Sequence, residues 1–65
     1  MSGIQYKMRH RLIHKLEKMG ATSKEKALTC KQAQFEPQEM YWITYFAGEF
    51  LGKIKKTKNH RYYVT

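Results

Sequence analysis

One cysteine, Cys30, is the whole supply of thiol in this 65-residue chain, so no internal disulfide can form. Zinc offers no replacement, because Cys30, His10, His14 and His60 lack the paired spacing of a structural site. A chain this short buries only about 60% of the surface its unfolded form exposes, and it is marginal without such staples. What is left to hold a fold is a lean core of large apolar side chains. Apolar residues make up 42% of the chain and aromatics 14%, which argues for a packed domain over a disordered segment. The expectation is one domain over residues 1–65. A lone thiol suits a reducing compartment. No run approaches the roughly 20 apolar residues that cross a bilayer, and Lys7, Arg9, His10 and Arg11 interrupt any apolar signal core. A cytoplasmic protein with no membrane partner is the expected setting.

Helical periodicity is clearest from Ile4 to Met19. Met8, Leu12, Leu16 and Met19 recur at spacings of four, four and three, which puts them on one stripe with Ile4 beside it. Lys7, Arg11, His14, Lys15 and Lys18 make a basic face opposite, and Gly20 supplies the stop. Two capping-box patterns follow. Thr22-Ser-Lys-Glu25 predicts a single turn ending near Ala27, and Thr29-Cys-Lys-Gln32 predicts a short helix over Cys30–Gln34. Glu36-Pro37 opens the longest apolar run, read as a helix over 37–51. Its inner face is expected to hold Met40, Ile43, Ala47, Phe50 and Leu51, with Phe46 at the edge. Its outer face is expected to hold Gln38, Tyr41, Trp42, Tyr45 and Glu49. Past Gly52, two β-prone runs surround a turn in which Asn59 is the candidate for positive φ, so residues 52–65 read as a basic β-hairpin.

Charge is distributed in blocks. Residues 1–31 hold eight Lys/Arg and two Glu; residues 32–52 hold three Glu and no Lys or Arg; residues 53–65 hold five Lys/Arg and no acid. The net charge is +8. A surplus of this kind attracts polyanions, nucleic acid before anionic membrane. Lys53, Lys55, Lys56, Lys58 and Arg61 form the densest cluster, suited to phosphates, and His60 and Arg61 sit at its turn. The bland reading is a charged edge strand that resists aggregation. Tyr41, Trp42 and Tyr45 leave three readings open: extra core, an anchor for a protein partner or second copy, or a stacking platform for unpaired bases. No serine triad, phosphate-cradling glycine loop or paired carboxylate set is present, and neither an enzyme nor a cofactor is expected. Cys30 opens a short helix whose dipole can lower a thiol pKa, but no base accompanies it. His10 and His14 lie one helical turn apart without a third ligand.

Leu16-Glu-Lys-Met-Gly-Ala21, the capped helix after Lys26-Ala-Leu-Thr29, the Pro-started helix and Gly52-Lys-Ile-Lys-Lys-Thr-Lys-Asn-His-Arg-Tyr-Tyr-Val64 together resemble the small winged helix-turn-helix domains of bacterial and archaeal regulators. The likeness is one of pattern over residues 5–65. It implies an α+β fold of three helices with a C-terminal β-hairpin wing, and double-stranded DNA as partner in transcription regulation. It also implies the third helix at the major groove, with Gln38, Tyr41, Thr44 and Tyr45 as its polar contacts. The departure from the pattern is that this helix has no basic side chain. RNA or single-stranded nucleic acid is the competing partner, and an adaptor or dimerisation module built on Tyr41, Trp42 and Tyr45 the alternative function.

Overall fold

The computed structural model describes residues 3–49 and 52–65. Helix α1 spans Gly3–Lys18 and helix α2 spans Pro37–Ala47. Strands β1 (Ile54–Lys56) and β2 (Tyr62–Val64) form an antiparallel hairpin. Among the described residues the class is α+β with two α-helices, where three were expected.

Helix α1 buries Met8, Leu12 and Leu16, as their spacing predicts. Its end is a Schellman motif. Gly20 takes φ +82°, its N–H donates to Glu17 O at 3.0 Å, and the Ala21 N–H donates to Leu16 O at 2.8 Å. Met19 lies beyond the last helical residue, where the chain turns away, so it is exposed and leaves the stripe it was expected to extend. Ile4 is exposed as well, on the first turn.

Between the helices the chain makes a 3₁₀ turn at Lys24–Lys26 and then a single hydrogen-bonded turn over 30–34. The first is the expected turn, but Ser23 precedes it and no side chain caps it. The second replaces the expected short helix. Its capping box is formed, with Thr29 N–H on Gln32 Oε1 at 3.0 Å and Gln32 N–H on Thr29 Oγ1 at 3.1 Å. Gln34 then enters the left-handed region at φ 59°, and the Phe35 N–H closes back on Cys30 O at 3.0 Å. Pro37 holds Glu36 extended, so a turn started at Thr29 has no room to become a helix.

Helix α2 starts at Pro37 as expected, with Glu39 Oε1 accepting the Glu36 N–H at 2.9 Å. It ends at Ala47, four residues before the expected end at 51; Phe50 and Leu51 lie outside the described residues. Its inner face is also rotated from the expected one. Glu39, Ile43 and Phe46 point inward, and Met40 is exposed. The hairpin buries Ile54 from β1 and Tyr62 and Val64 from β2, with Ile54 opposite Val64 and Lys56 opposite Tyr62. These residues share one core with Met8, Leu12, Leu16, Ile43 and Phe46. The free edge of β2 is occupied by a connection that sequence patterns do not reveal. Leu28 pairs with Tyr62 through two backbone hydrogen bonds of 2.9 and 2.7 Å, and Val64 N–H donates to Ala21 O at 2.9 Å.

Candidate nucleic-acid interface

The hairpin tip is built around Thr57. Its carbonyl accepts the His60 N–H at 3.2 Å, and its hydroxyl oxygen accepts the N–H groups of Asn59 at 3.2 Å and Arg61 at 3.3 Å. The residue with positive φ is His60, at 59°, not Asn59. Strand alternation sends Ile54 inward and Lys53 and Lys55 to the opposite face, beside half-buried Tyr63. Lys53, Lys56, Lys58 and His60 are exposed, whereas Lys55 and Arg61 are half-buried. Among the described residues, Lys53, Lys56 and Lys58 have no ion-pair partner.

Arg61 is tied back to the body. Its Nη1 donates to Gln32 Oε1 at 3.1 Å and to Ala27 O at 3.5 Å. Gln32 is held in turn by its capping box with Thr29, so the hairpin tip is anchored to the 29–34 turn. That contact brings a further set of cations to the hairpin. Lys26 and Lys31 neighbour the two anchor residues, and with Lys24 they are exposed. Their sequence pattern assigned Lys24 and Lys26 to a turn and Lys31 to a short helix; the missing signal was the Leu28–Tyr62 pairing, which is long-range.

The basic face expected on α1 is neutralised in part, at Arg11 and Lys15. Lys15 Nζ lies 2.6 Å from Glu39 Oε1, and Arg11 Nε lies 2.9 Å from Glu39 Oε2 as an ion pair without hydrogen-bond alignment. Arg9 clasps Glu49 with both terminal nitrogens, at 2.5 and 3.0 Å, while its guanidinium sits 4.5 Å over the Phe46 ring. Burial pushes the Glu39 carboxyl up, but Lys15, the Glu36 N–H and Arg11 outweigh it and hold the group below its ordinary value. The hydrogen bond from Arg9 likewise holds Glu49 low, and Glu49 raises Arg9. One signal for Glu39 was available: positions 39, 43 and 46 share a helical stripe. Lys7 and Lys18 remain exposed on α1, as do His10 and His14, with Tyr6 packed edge-on to His10 at 4.6 Å.

On α2, Gln38, Tyr41, Thr44 and Tyr45 are all exposed, and Trp42 is half-buried. The Thr44 hydroxyl donates to Met40 O at 3.0 Å, so that proton is already used. Trp42 stacks on Phe46 at 5.5 Å, and the rings of Tyr41 and Tyr45 stand nearly perpendicular to it at 5.4 and 5.7 Å. Cys30 is half-buried against the core, and burial raises its thiol pKa; the thiolate that a helix dipole would have favoured is disfavoured here. Comparison of the chain with protein-family models, with curated proteins and with solved structures finds no match.

Proposed function

We propose that this protein is a small nucleic-acid-binding module of winged-helix type, with double-stranded DNA as its ligand and regulation of transcription as its role. The hairpin is its phosphate-contacting wing, and the Leu28–Tyr62 pairing supplies the third strand position of a wing sheet. The observation that carries this reading is the contrast between its two basic segments. Three of the five Lys/Arg of α1 are spent on Glu39 and Glu49, leaving Lys7 and Lys18, whereas the exposed Lys53, Lys56 and Lys58 of the hairpin have no ion-pair partner among the described residues. Cations left without internal partners exchange condensed counterions of a polyanion for direct phosphate contact. Arg61 positions the wing by holding its tip on the 29–34 turn, with His60 exposed next to it. Helix α2 brings no cation to the ligand, so affinity rests on the wing and on the 24–31 segment.

Fluorescence anisotropy of a labelled duplex, titrated across a series of salt concentrations, tests this reading. Each cation on a phosphate adds about −0.9 to the log-log salt slope on duplex DNA. Replacing Lys53, Lys56 and Lys58 together by Gln should therefore flatten the slope by about 2.7. Absence of binding at low salt removes the proposal, and a preferred single-stranded competitor reassigns the ligand.

A further inference from the structure

We infer that the outward face of α2 is a self-association surface, on which a second copy of this chain docks through Met40, Tyr41 and Tyr45. These side chains are 39%, 70% and 51% exposed. Met40 and Thr44, and Tyr41 and Tyr45, are each one helical turn apart, so they form two adjacent rows along the helix. Such rows present ridges that interdigitate with those of another helix.

Electrostatics select the occupant. The chain carries +8, and none of its 13 Lys/Arg lies in residues 32–52. Two copies meeting through α1, the 24–31 segment or the hairpin would bring like charges together. Across α2 they meet a face to which the helix itself brings no cation and at whose border Arg9 is already paired with Glu49. Its acids are likewise largely committed within the chain: Glu39 to Lys15 and Arg11, Glu49 to Arg9, and Glu36 at 4.0 Å from Arg11. The same arrangement disfavours a polyanion, which would find no cation from α2, Arg9 already held by Glu49, and the half-screened Glu36 carboxylate at the border. Exposed Ile4 offers no equal surface, because Lys7 and Arg11 line the hollow beside it.

The rings are also pre-ordered. Tyr41 and Tyr45 pack edge-on against Trp42, and Trp42 stacks on the fully buried Phe46. Little rotamer freedom is left to lose on docking. With 11 residues, α2 is about 16 Å long. The interface is small, and the monomer–dimer equilibrium is correspondingly concentration-dependent.

Salt separates this surface from the wing. Screening relieves the mutual repulsion of two +8 copies, so self-association strengthens as salt rises, whereas phosphate binding weakens. Sedimentation equilibrium of the wild-type chain, run up to about 1 mM protein in about 0.05 and 0.5 M salt, should show the mass rising from 7.8 kDa toward twice that value, further at the higher salt. The double variant Tyr41→Ser, Tyr45→Ser should hold the single-chain mass in both buffers. Tyr41→Lys, a change at the most exposed of the three positions, gives the same readout should the double variant lose its helical circular dichroism. A wild-type chain that stays monomeric throughout overturns the inference, as does a folded variant that associates like wild type. Duplex titration of the same variants keeps the two proposals apart: undiminished DNA binding by a monomeric variant leaves the wing reading standing, and loss of DNA binding with self-association intact removes the wing reading alone.

Discussion

Glu39 is the side chain through which the acidic middle of the chain stabilises its basic start. It is 1% exposed, yet it is charged, because Lys15, Arg11 and the Glu36 N–H surround it. A buried carboxylate is tolerable only with such partners. Replacing it by Ala leaves the Glu36 N–H without its acceptor and the Lys15 ammonium without its carboxylate partner, and should cost about 1–3 kcal/mol in denaturant unfolding. The folded protein holds the carboxyls of Glu39 and Glu49 below the ordinary 4.5. Their contribution is therefore in place above that pH and is lost as the pH falls through the lowered folded values. Acid unfolding followed by Trp42 fluorescence should begin below about pH 4.5, and Glu39→Gln should lower stability at neutral pH while reducing this acid sensitivity. An acid transition of unchanged steepness in Glu39→Gln would show that the pair does not report on folding.

At the scale of elements, the chain is built from short units whose ends are fastened more strongly than their middles. Helix α1 ends in a Schellman motif, and the 29–34 turn is closed by a capping box at one end and by the left-handed Gln34 at the other. A methyl group added at Gly20 would meet no atom within 4 Å, so the penalty of substitution is conformational alone. Gly20→Ala should lower stability by about 1–2 kcal/mol, the cost of an L-residue in the left-handed region, as measured by thermal unfolding. The hairpin has only three residues in each strand and would not persist in isolation. It is held by its buried row, by Leu28 at its edge and by Arg61 on Gln32, and any use of its lysines depends on those three attachments.

For the molecule as a whole, one core joins every element: Met8, Leu12 and Leu16 from α1, Ile43 and Phe46 from α2, and Ile54, Tyr62 and Val64 from the hairpin. With no disulfide to share the task, stability is concentrated there. Leu12 is fully buried, and Leu12→Ala should cost about 2–5 kcal/mol in denaturant unfolding. That is a large part of the stability of a small domain, so the variant should be partly unfolded near body temperature. The core also separates the charged surfaces. Among the described residues, exposed cations without an ion-pair partner stand on the hairpin, on the 24–31 segment and at Lys7 and Lys18 of α1, whereas α2 itself contributes no Lys or Arg to its aromatic strip. Under the two proposals, one surface would meet a polyanion and a different one a second copy.

The start of α2 at Pro37, the stop after α1 at Gly20 and the two strands around Thr57–Arg61 were all legible in the sequence. Each is dictated within a few residues, by a fixed φ, a tolerated left-handed turn or a run of β-formers. The direction in which α2 faces was not legible, since Met40 and Phe46 are both plausible core residues and only packing against α1 chooses between them. Nor was the fate of the charges. Arg9 finds Glu49 40 positions away and Lys15 finds Glu39 24 positions away; with Arg11 also on Glu39, part of the expected basic face becomes internal ion pairs while Lys7 and Lys18 stay exposed. Local backbone preference acts over one turn or one strand, and a pattern in the chain records it. Which cations keep their charge for a ligand depends on which acids folding carries to them, and that is decided only when distant segments share a core.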